Sequence, residues 1–499
     1  MQNLLTAVQM RSADAFTIQQ KGISSIELME TASIAFVEVF SREVSSKETA
    51  IGILCGKGNN GADGLAIARL LQEQEYLFVT VYLISFSDRE TEEYSINLKL
   101  LRQAGFQPVL VHDAAQLSDI KDEVLIDAVL GSGLNKPLAG AYAELATVIN
   151  TLERKVIAVD IPTGFPSDGP LSPGAVYLKA TLAICFQRPK INFFFPEALL
   201  AMQRFIVADI GLDEDFIQEQ DSAYQLSDVN SLKQMIKPRA LFSHKGTYGH
   251  ALIVAGQAET MGAALLAATG CLYSGAGLTT LAIPASGLTA LNSLLPEVMY
   301  TDRDDLKADL SSNKEKFKAI AIGPGLGTAE DGRSLVNAFF ALQKPLVIDA
   351  DALNILAEDK GLLDQLPSGS VLTPHMKEFD HLYGEHHSWW DRLQTARETA
   401  EESACVIVLK NQYTFIVSPD GHVVINPTGN PGMAQGGMGD VLTGIIVSFL
   451  AQGYSAAQAS AIACYLHGAA GDDLFKSRSN VTASALGRQV PVVLKGLTK

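Results

Sequence analysis

The chain has 499 residues, 47% of them apolar, and a formal charge of −17. The length fits two to four domains of roughly 150 residues each, and the apolar content excludes wholesale disorder. The acidic balance argues against general affinity for nucleic acid or an anionic membrane, both of which call for basic patches.

Arg11 and Asp14 stand where a secretory signal would need an apolar stretch, so the chain reads as cytoplasmic. The five cysteines (Cys55, Cys185, Cys271, Cys405 and Cys464) are far apart, odd in number and set in apolar runs. That is the usage of reduced, buried thiols, not of a disulfide frame or a zinc site. From residue 50 to about 211, strands are predicted over 51–55, 78–84, 124–130, 156–161, 182–186 and 205–210, with helices over 65–74 and 94–104. Continuous apolar strands with helical crossovers predict a mostly parallel sheet covered on both faces. Ligands bind such sheets beyond the C-terminal ends of the strands.

The first strand runs into Gly56-Lys57-Gly58-Asn59-Asn60-Gly61-Ala62-Asp63-Gly64 and then a helix, the geometry of a phosphate or nucleotide site. It is not a Walker loop, and the dinucleotide-fold glycine spacing is absent. Paired amides at Asn59 and Asn60 offer donors and carbonyl acceptors to a polar ligand or a monovalent cation. Asp127 lies in the strand that leads to Gly131-Ser132-Gly133-Leu134-Asn135-Lys136-Pro137, and Asp160 precedes Ile161-Pro162-Thr163-Gly164. A carboxylate in an apolar strand is costly unless paired, hydrogen-bonded or bound to a cation. Two beside glycine-rich loops favour a site.

These three segments together resemble the NAD(P)H-hydrate epimerase domain, over about the first 215 residues. Such enzymes interconvert the R and S epimers of NADH and NADPH hydrated at C6 of the nicotinamide ring. The resemblance implies that Asn59, Asn60, Gly61, Ala62 and Asp63, with Gly131, Ser132, Gly133, Leu134, Asn135, Lys136 and Pro137, bind the hydrated dinucleotide. Asp160 would be the acid/base or substrate-anchoring residue, and Asn60, Asp127 and Thr163 would ligate K⁺. Two departures are small: Ala62 where the family usually has Gly, and Thr163 where Ser is frequent. Ala62 matters only if that position needs a positive φ.

A polar stretch over 213–228 places a boundary near 220, giving domains 1–220 and 221–499. Strands follow over 251–255, 278–283, 318–322, 346–348 and 405–409, with a hairpin of 413–417 and 423–425 turning at Ser418-Pro419-Asp420-Gly421. Two long uncharged stretches, 262–296 and 441–471, are broken by Gly270, Gly275, Gly277 and Pro284, and by Gly453. They read as core elements, not membrane spans. His386-His387 has no metal-ligand spacing and reads as surface.

Strand ends in this half carry His244-Lys245-Gly246, Gly323-Pro324-Gly325-Leu326-Gly327, Asp349-Ala350-Asp351 and Thr373-Pro374-His375, with Met261-Gly262-Ala263 opening a helix. The densest segment is Asn430-Pro431-Gly432-Met433-Ala434-Gln435-Gly436-Gly437-Met438-Gly439-Asp440, which runs into an apolar helix. Glycines let N–H groups converge on an anion, and the helix N-terminus adds about half a positive charge. Asp440 sits where it could take a proton from a hydroxyl beside that anion.

The ordered set resembles the ADP-dependent NAD(P)H-hydrate dehydratase, of ribokinase-like fold, over residues 225–495. It implies that Ala263, Gly325, His375 and Asp440 meet the hydrated dinucleotide. Lys410, Asn411, Gln412, Tyr413, Thr414 and Gly439 would hold ADP, and Asp440 would be the catalytic base with Mg²⁺ on the phosphates. Departures are Met438 for Thr, Lys377 for Gly and Asn411 for Gly. The expected fold class is α/β in two domains: an N-terminal Rossmann-like three-layer α/β/α domain and a C-terminal ribokinase-like α/β domain. The expected activity is bifunctional, with epimerisation of hydrated NADH and NADPH followed by ADP-dependent dehydration of the S epimer. The resemblance also implies a homo-oligomer, a tetramer or larger, with no nucleic-acid or membrane partner. The alternatives are a small-molecule kinase of sugar or hydroxymethylpyrimidine type, using the same cradle and Asp440, and a non-catalytic nucleotide sensor.

Overall fold

Side chains alternate across a strand, so an apolar run buried on both faces feeds two cores. The computed structural model describes residues 1–133, 136–308, 310 and 315–498. It divides into two units, one of residues 3–222 with 388–390, the other of residues 1–2, 223–387 and 391–499.

The first unit holds a seven-stranded sheet in the order Val109–Val111, Phe78–Ile84, Ala50–Cys55, Val124–Ala128, Lys155–Val159, Ala180–Phe186, Met202–Ala208. Every pairing is parallel. Ile53 and Ile126 pack with Phe36, Phe40 and Leu65 on one face. Leu54 and Leu125 pack with Leu145 and Ile149 on the other. Helices therefore cover both sides, giving three layers. The chain leaves strand Ala50–Cys55 toward one edge and returns to Val124–Ala128 on its other side, so the strand order reverses between these two. That reversal opens the crevice where such sheets take ligands.

The second unit holds an eleven-stranded sheet. Its parallel part reads Met299–Asp302, Leu278–Ile283, His250–Val254, Ala319–Ile322, Leu346–Ile348, Val371–Leu372, Val406–Leu409, and the order reverses between His250–Val254 and Ala319–Ile322. The hairpin Thr414–Val417 with Val423–Asn426 then runs antiparallel, its turn closed by Gly421 N–H to Ser418 O at 3.0 Å. Both uncharged stretches are core. Helices Met261–Tyr273 and Met438–Ala451 cross so closely that a Cβ at Gly444 would lie 1.9 Å from Ala267 O. Among the described residues no helix is long and apolar enough to cross a membrane.

The structure differs from expectation at several ends. The strand expected over 124–130 stops at Ala128, and that over 156–161 stops at Val159, where Asp160 turns to φ +63°. The glycine segment after Cys55 is mostly helix, which begins at Asn59. Ala62 lies inside that helix and is not among the positive-φ residues, so its side chain is tolerated. Of the expected surface doublet, His387 is exposed, whereas His386 is half-buried, with its side chain 8% exposed and paired with Asp380 at 2.8 Å. All five cysteines are free and buried.

Candidate active sites

In the first unit, Gly56 and Gly61 permit a tight strand-to-helix turn: a Cβ at Gly61 would lie 1.7 Å from Gly56 O. This brings Asn59, Asn60 and Asp63 to a cavity of 760 Å³ together with Gly131, Ser132, Gly133 and Asp160. Lys136 and Pro137 line an adjoining cavity of 570 Å³ that shares Ser132 and Gly133 with the first. Gly61 and Ala62 are buried in the turn and line neither. Leu134 and Asn135 lie outside the described residues.

Asp127 is fully buried and accepts hydrogen bonds from Thr163 N and Thr163 Oγ1, each at 2.7 Å. Burial pushes its carboxyl up to about 6 against the pull of these donors. Next to this strand end, the buried amide nitrogen of Asn60 has no partner.

Asp160 is held in the left-handed region, a strained conformation for a residue with a side chain. Its Oδ1 accepts from Phe186 N at 3.0 Å and pairs with Lys190 Nζ at 2.8 Å. Burial opposes the charge of Lys190, but Asp160, Cys185 and Asp14 together hold the ammonium above its usual range. Asp63 is driven far up by burial and by the charges of Asp160 and Asp14. Sequence reading missed Lys190. Its only signal was a cation set among Ile191, Phe193, Phe194 and Phe195.

In the second unit the sheet reversal is lined by Gly325, whose carbonyl accepts from Thr260 Oγ1 at 2.6 Å just before Ala263. His375 caps helix Met376–Tyr383, its Nδ1 accepting from Glu378 N at 3.1 Å. It also bridges Lys410 across the sheet. Lys410 Nζ pairs with Asp349 Oδ1 at 2.9 Å and lies 3.8 Å from Glu378 Oε2. Thr443 Oγ1 donates to the other Asp349 oxygen at 2.7 Å. Burial works against the Asp349 charge, yet Lys410 and then Thr443 hold its carboxyl below the usual range.

Gly437, at φ +89°, turns the chain into helix Met438–Ala451, and His467 Nε2 holds Met438 O at 3.0 Å. A Cβ at Gly439 would stand 3.3 Å from Lys410 Nζ, so the ammonium faces the first helical turn. Burial, then the charge of Asp349, pushes Asp440 on that turn up to about 6, with Lys410 opposing. Beside it lies a cavity of 260 Å³ lined by Lys410, Asn411, Gln412, Thr414 and Gly439, and also by Asn426 and Thr428. Tyr413, Ala263, Gly325, His375 and Asp440 are outside its lining. Lys410, the open helix terminus and the glycine form an anion cradle with a carboxyl at its rim. Sequence reading missed Thr443 and His467, which sit inside an apolar helical run without local signal.

Residues 251–491 match the NAD(P)H-hydrate dehydratase family, and residues 25–192 match the YjeF-related protein N-terminus family. The bifunctional NAD(P)H-hydrate repair enzyme Nnr of Moorella thermoacetica is 36% identical, over 99% of this chain and 97% of that protein. Its namesake in Escherichia coli is 32% identical, over 91% of this chain and 86% of that protein. Among solved structures, a ribokinase-like superfamily protein from Enterococcus faecalis is similar with a TM-score of 0.52 at 29% identity, covering 56% of this chain and 98% of that one.

Proposed function

The chain belongs to the family of bifunctional NAD(P)H-hydrate repair enzymes, and on that premise we propose how its two units divide the work. The enzyme epimerises R and S hydrated NADH and NADPH and dehydrates the S epimer with a nucleotide, acting as isomerase and lyase. The small-molecule kinase alternative is not favoured: the family match spans both units, and a kinase has no use for the first.

In the first unit, residues 59–63 and 131–137 take the hydrated dinucleotide, and Asp160, oriented by Lys190, moves the proton of the C6 hydroxyl. Asn60, Asp127 and Thr163 hold K⁺. Supporting this is the buried Asp127 carboxylate, whose charge a hard cation would stabilise. When bound, K⁺ supplies fixed positive charge beside the dinucleotide.

In the second unit, Asp440 removes the proton of the C6 hydroxyl as that oxygen takes the terminal phosphoryl group of ADP. Lys410 and the N–H of Gly439 carry the phosphate charge. Phosphate then leaves C6, the ring loses a proton, and the dihydropyridine is restored with AMP as second product. Asn411, Gln412, Tyr413 and Thr414 hold the nucleotide, and Ala263, Gly325 and His375 the dinucleotide. Among the described residues no cluster of three His, Cys, Asp or Glu could hold a metal. Mg²⁺ would come with the nucleotide phosphates, as is usual for this ion. The resemblance supports ADP over ATP and a homo-oligomer of four or more chains, and the five free thiols support a cytoplasmic setting.

The observation that carries this reading is Lys410 aimed at the first turn of the helix that bears Asp440. The test is a mixture of R- and S-NADHX with protein, ADP, Mg²⁺ and K⁺, followed by reduced-nicotinamide absorbance. Complete recovery that requires nucleotide is expected. Recovery that stops at the S fraction removes the epimerase, and no recovery with ADP or ATP removes the dehydratase and returns the small-molecule kinase reading.

A further inference from the structure

Helix Ala7–Lys21 precedes every segment that carries the family resemblance. Its residues Ala7, Met10, Arg11 and Asp14 all line the 760 Å³ cavity. Their spacing is that of one helical stripe, so the helix forms a wall of the first site. Asp14 stands at the C-terminal end of this stripe, in the same cavity as Asp160, Lys190 and Asp63, while Arg11 also lines the adjoining 570 Å³ cavity. Three carboxyls, Asp14, Asp63 and Asp160, thus meet one reaction space, and Asp160 is tied to an ammonium at 2.8 Å.

The substrate needs a base and an acid. Hydrated at C6, the ring carries its hydroxyl on the carbon bonded to N1, a hemiaminal. In the ring-opening route to inversion, a base takes the hydroxyl proton and the C6–O bond becomes a carbonyl. The C6–N1 electron pair passes to N1, which takes a proton from an acid. Closure on the opposite face of the carbonyl returns the proton from N1 to the acid's conjugate base, and the first base returns its own to oxygen. Nothing is oxidised or reduced, and no co-reactant is consumed.

Resting on the epimerase reading of this cavity, we propose that Asp14 is the catalytic acid of the epimerisation, protonating N1 while Asp160 acts as the base. Burial, then the charge of Asp160, pushes the Asp14 carboxyl up to about 6, against the pull of Lys190. The charged groups around it are Asp160 and Lys190 from the sheet, Asp63 from helix Asn59–Glu73, and Arg11 and Arg89 on the cavity wall. Of the three carboxyls, Asp160 is ion-paired, Asp63 is driven far up by burial, and Asp14 is kept near the working pH, where a general acid can both hold and release its proton.

The test uses the full chain as Asp14→Asn and Asp14→Glu, with R-NADHX for epimerisation and S-NADHX for dehydration, each corrected for the spontaneous rate. A general acid contributes about 100-fold or more, so Asp14→Asn loses that much kcat on the R epimer with KM changed by less than about 3-fold. Dehydration of the S epimer is unchanged. In the wild type kcat/KM for epimerisation declines as pH rises through about 6, because the acid must hold its proton. Asp14→Asn lacks that alkaline limb, and Asp14→Glu keeps activity with the limb displaced. A rate for Asp14→Asn within about 3-fold of wild type, a change in KM alone, or an unaltered limb overturns the proposal. If Asp14→Asn unfolds the first unit, Asp14→Glu decides: a displaced limb supports it, an unmoved one overturns it. A wild type that does not epimerise at all overturns the reading of the site instead.

Discussion

Asp440→Asn should stop dehydration and at the same time raise the stability of the second unit. The carboxyl is held at about 6 instead of its ordinary 3.8, chiefly by burial and by Asp349. Its ionised form is therefore penalised in the folded protein by at most ~3 kcal/mol at neutral pH. Partial solvent access reduces this to ~1–2 kcal/mol. A raised carboxyl binds its proton more tightly in the folded state, so its stabilising share is fully present below 3.8 and lost as pH rises through about 6. Asparagine cannot ionise and escapes that loss. The variant should melt ~2–8 °C above wild type at pH 7.5, taking ~2–4 °C per kcal/mol for a unit of this size. The gap should close as pH falls toward 4. Removing a general base should also lower the dehydration rate by ~100-fold or more. Thermal melts of the nucleotide-free protein at two pH values, with S-NADHX turnover, read both effects. A variant that melts at or below wild type at pH 7.5, or that still dehydrates within tenfold of it, would refute the assignment.

Other perturbations separate the two sites. Asp160→Asn should abolish epimerisation of R-NADHX and leave S-NADHX dehydration intact; loss of both activities in a folded variant would remove the two-site account. Lys410→Met leaves Asp349 buried and unpaired, which should cost ~3 kcal/mol and ~6 °C or more in the melt of the second unit, along with nucleotide affinity. Because the Asp349 carboxyl is held below its usual range, the stability it gains from Lys410 is present at neutral pH and lost as pH falls. The deficit of Lys410→Met should therefore narrow in acid, as melts across pH would show. Epimerisation should rise with K⁺ and lose that response in Asp127→Asn, read by K⁺ titration at constant ionic strength. Gly61→Ala would place a Cβ 1.7 Å from Gly56 O, so the first unit should fail while dehydration persists.

The parallel strands were legible because burial on both faces writes unbroken apolar runs. Strands Val109–Val111 and Val371–Leu372 were not, since two or three residues make no pattern. The helix start at Asn59 was obscured because Asn and Gly are poor helix formers and tertiary contact overrides them. Gly64 there packs so closely that a Cβ would lie 2.6 Å from Ala128 Cβ. The glycine segments, Asp127, Asp160 and Asp440 could be read because each breaks an apolar strand or opens a helix. Lys190 and Thr443 could not, because each acts through a partner distant in sequence, Asp160 and Asp349. Asp14 was visible only as a charge that spoke against a signal peptide.

The two units reach different chemistry from one electrostatic motif. Each joins a carboxylate at a strand end to a lysine, Asp160 with Lys190 at 2.8 Å and Asp349 with Lys410 at 2.9 Å. Each forces a residue with a side chain into the left-handed region there, Asp160 at φ +63° and Ala350 at φ +50°. Each also keeps a second carboxyl near 6, Asp14 or Asp440. What differs is which half of the ion pair meets the ligand. In the first unit the carboxylate lines the cavity together with its lysine, which suits moving protons on a ring that keeps all its atoms. In the second the carboxylate is 1% exposed, and the lysine faces a helix N-terminus, which suits a phosphate in transfer. The first reaction consumes no co-reactant, while the second needs a leaving group and hence a nucleotide. Because only the S epimer is dehydrated, the R form would wait on spontaneous epimerisation without the first reaction. Joining both units in one chain fixes their ratio at one to one, so no damaged dinucleotide depends on a separately supplied partner.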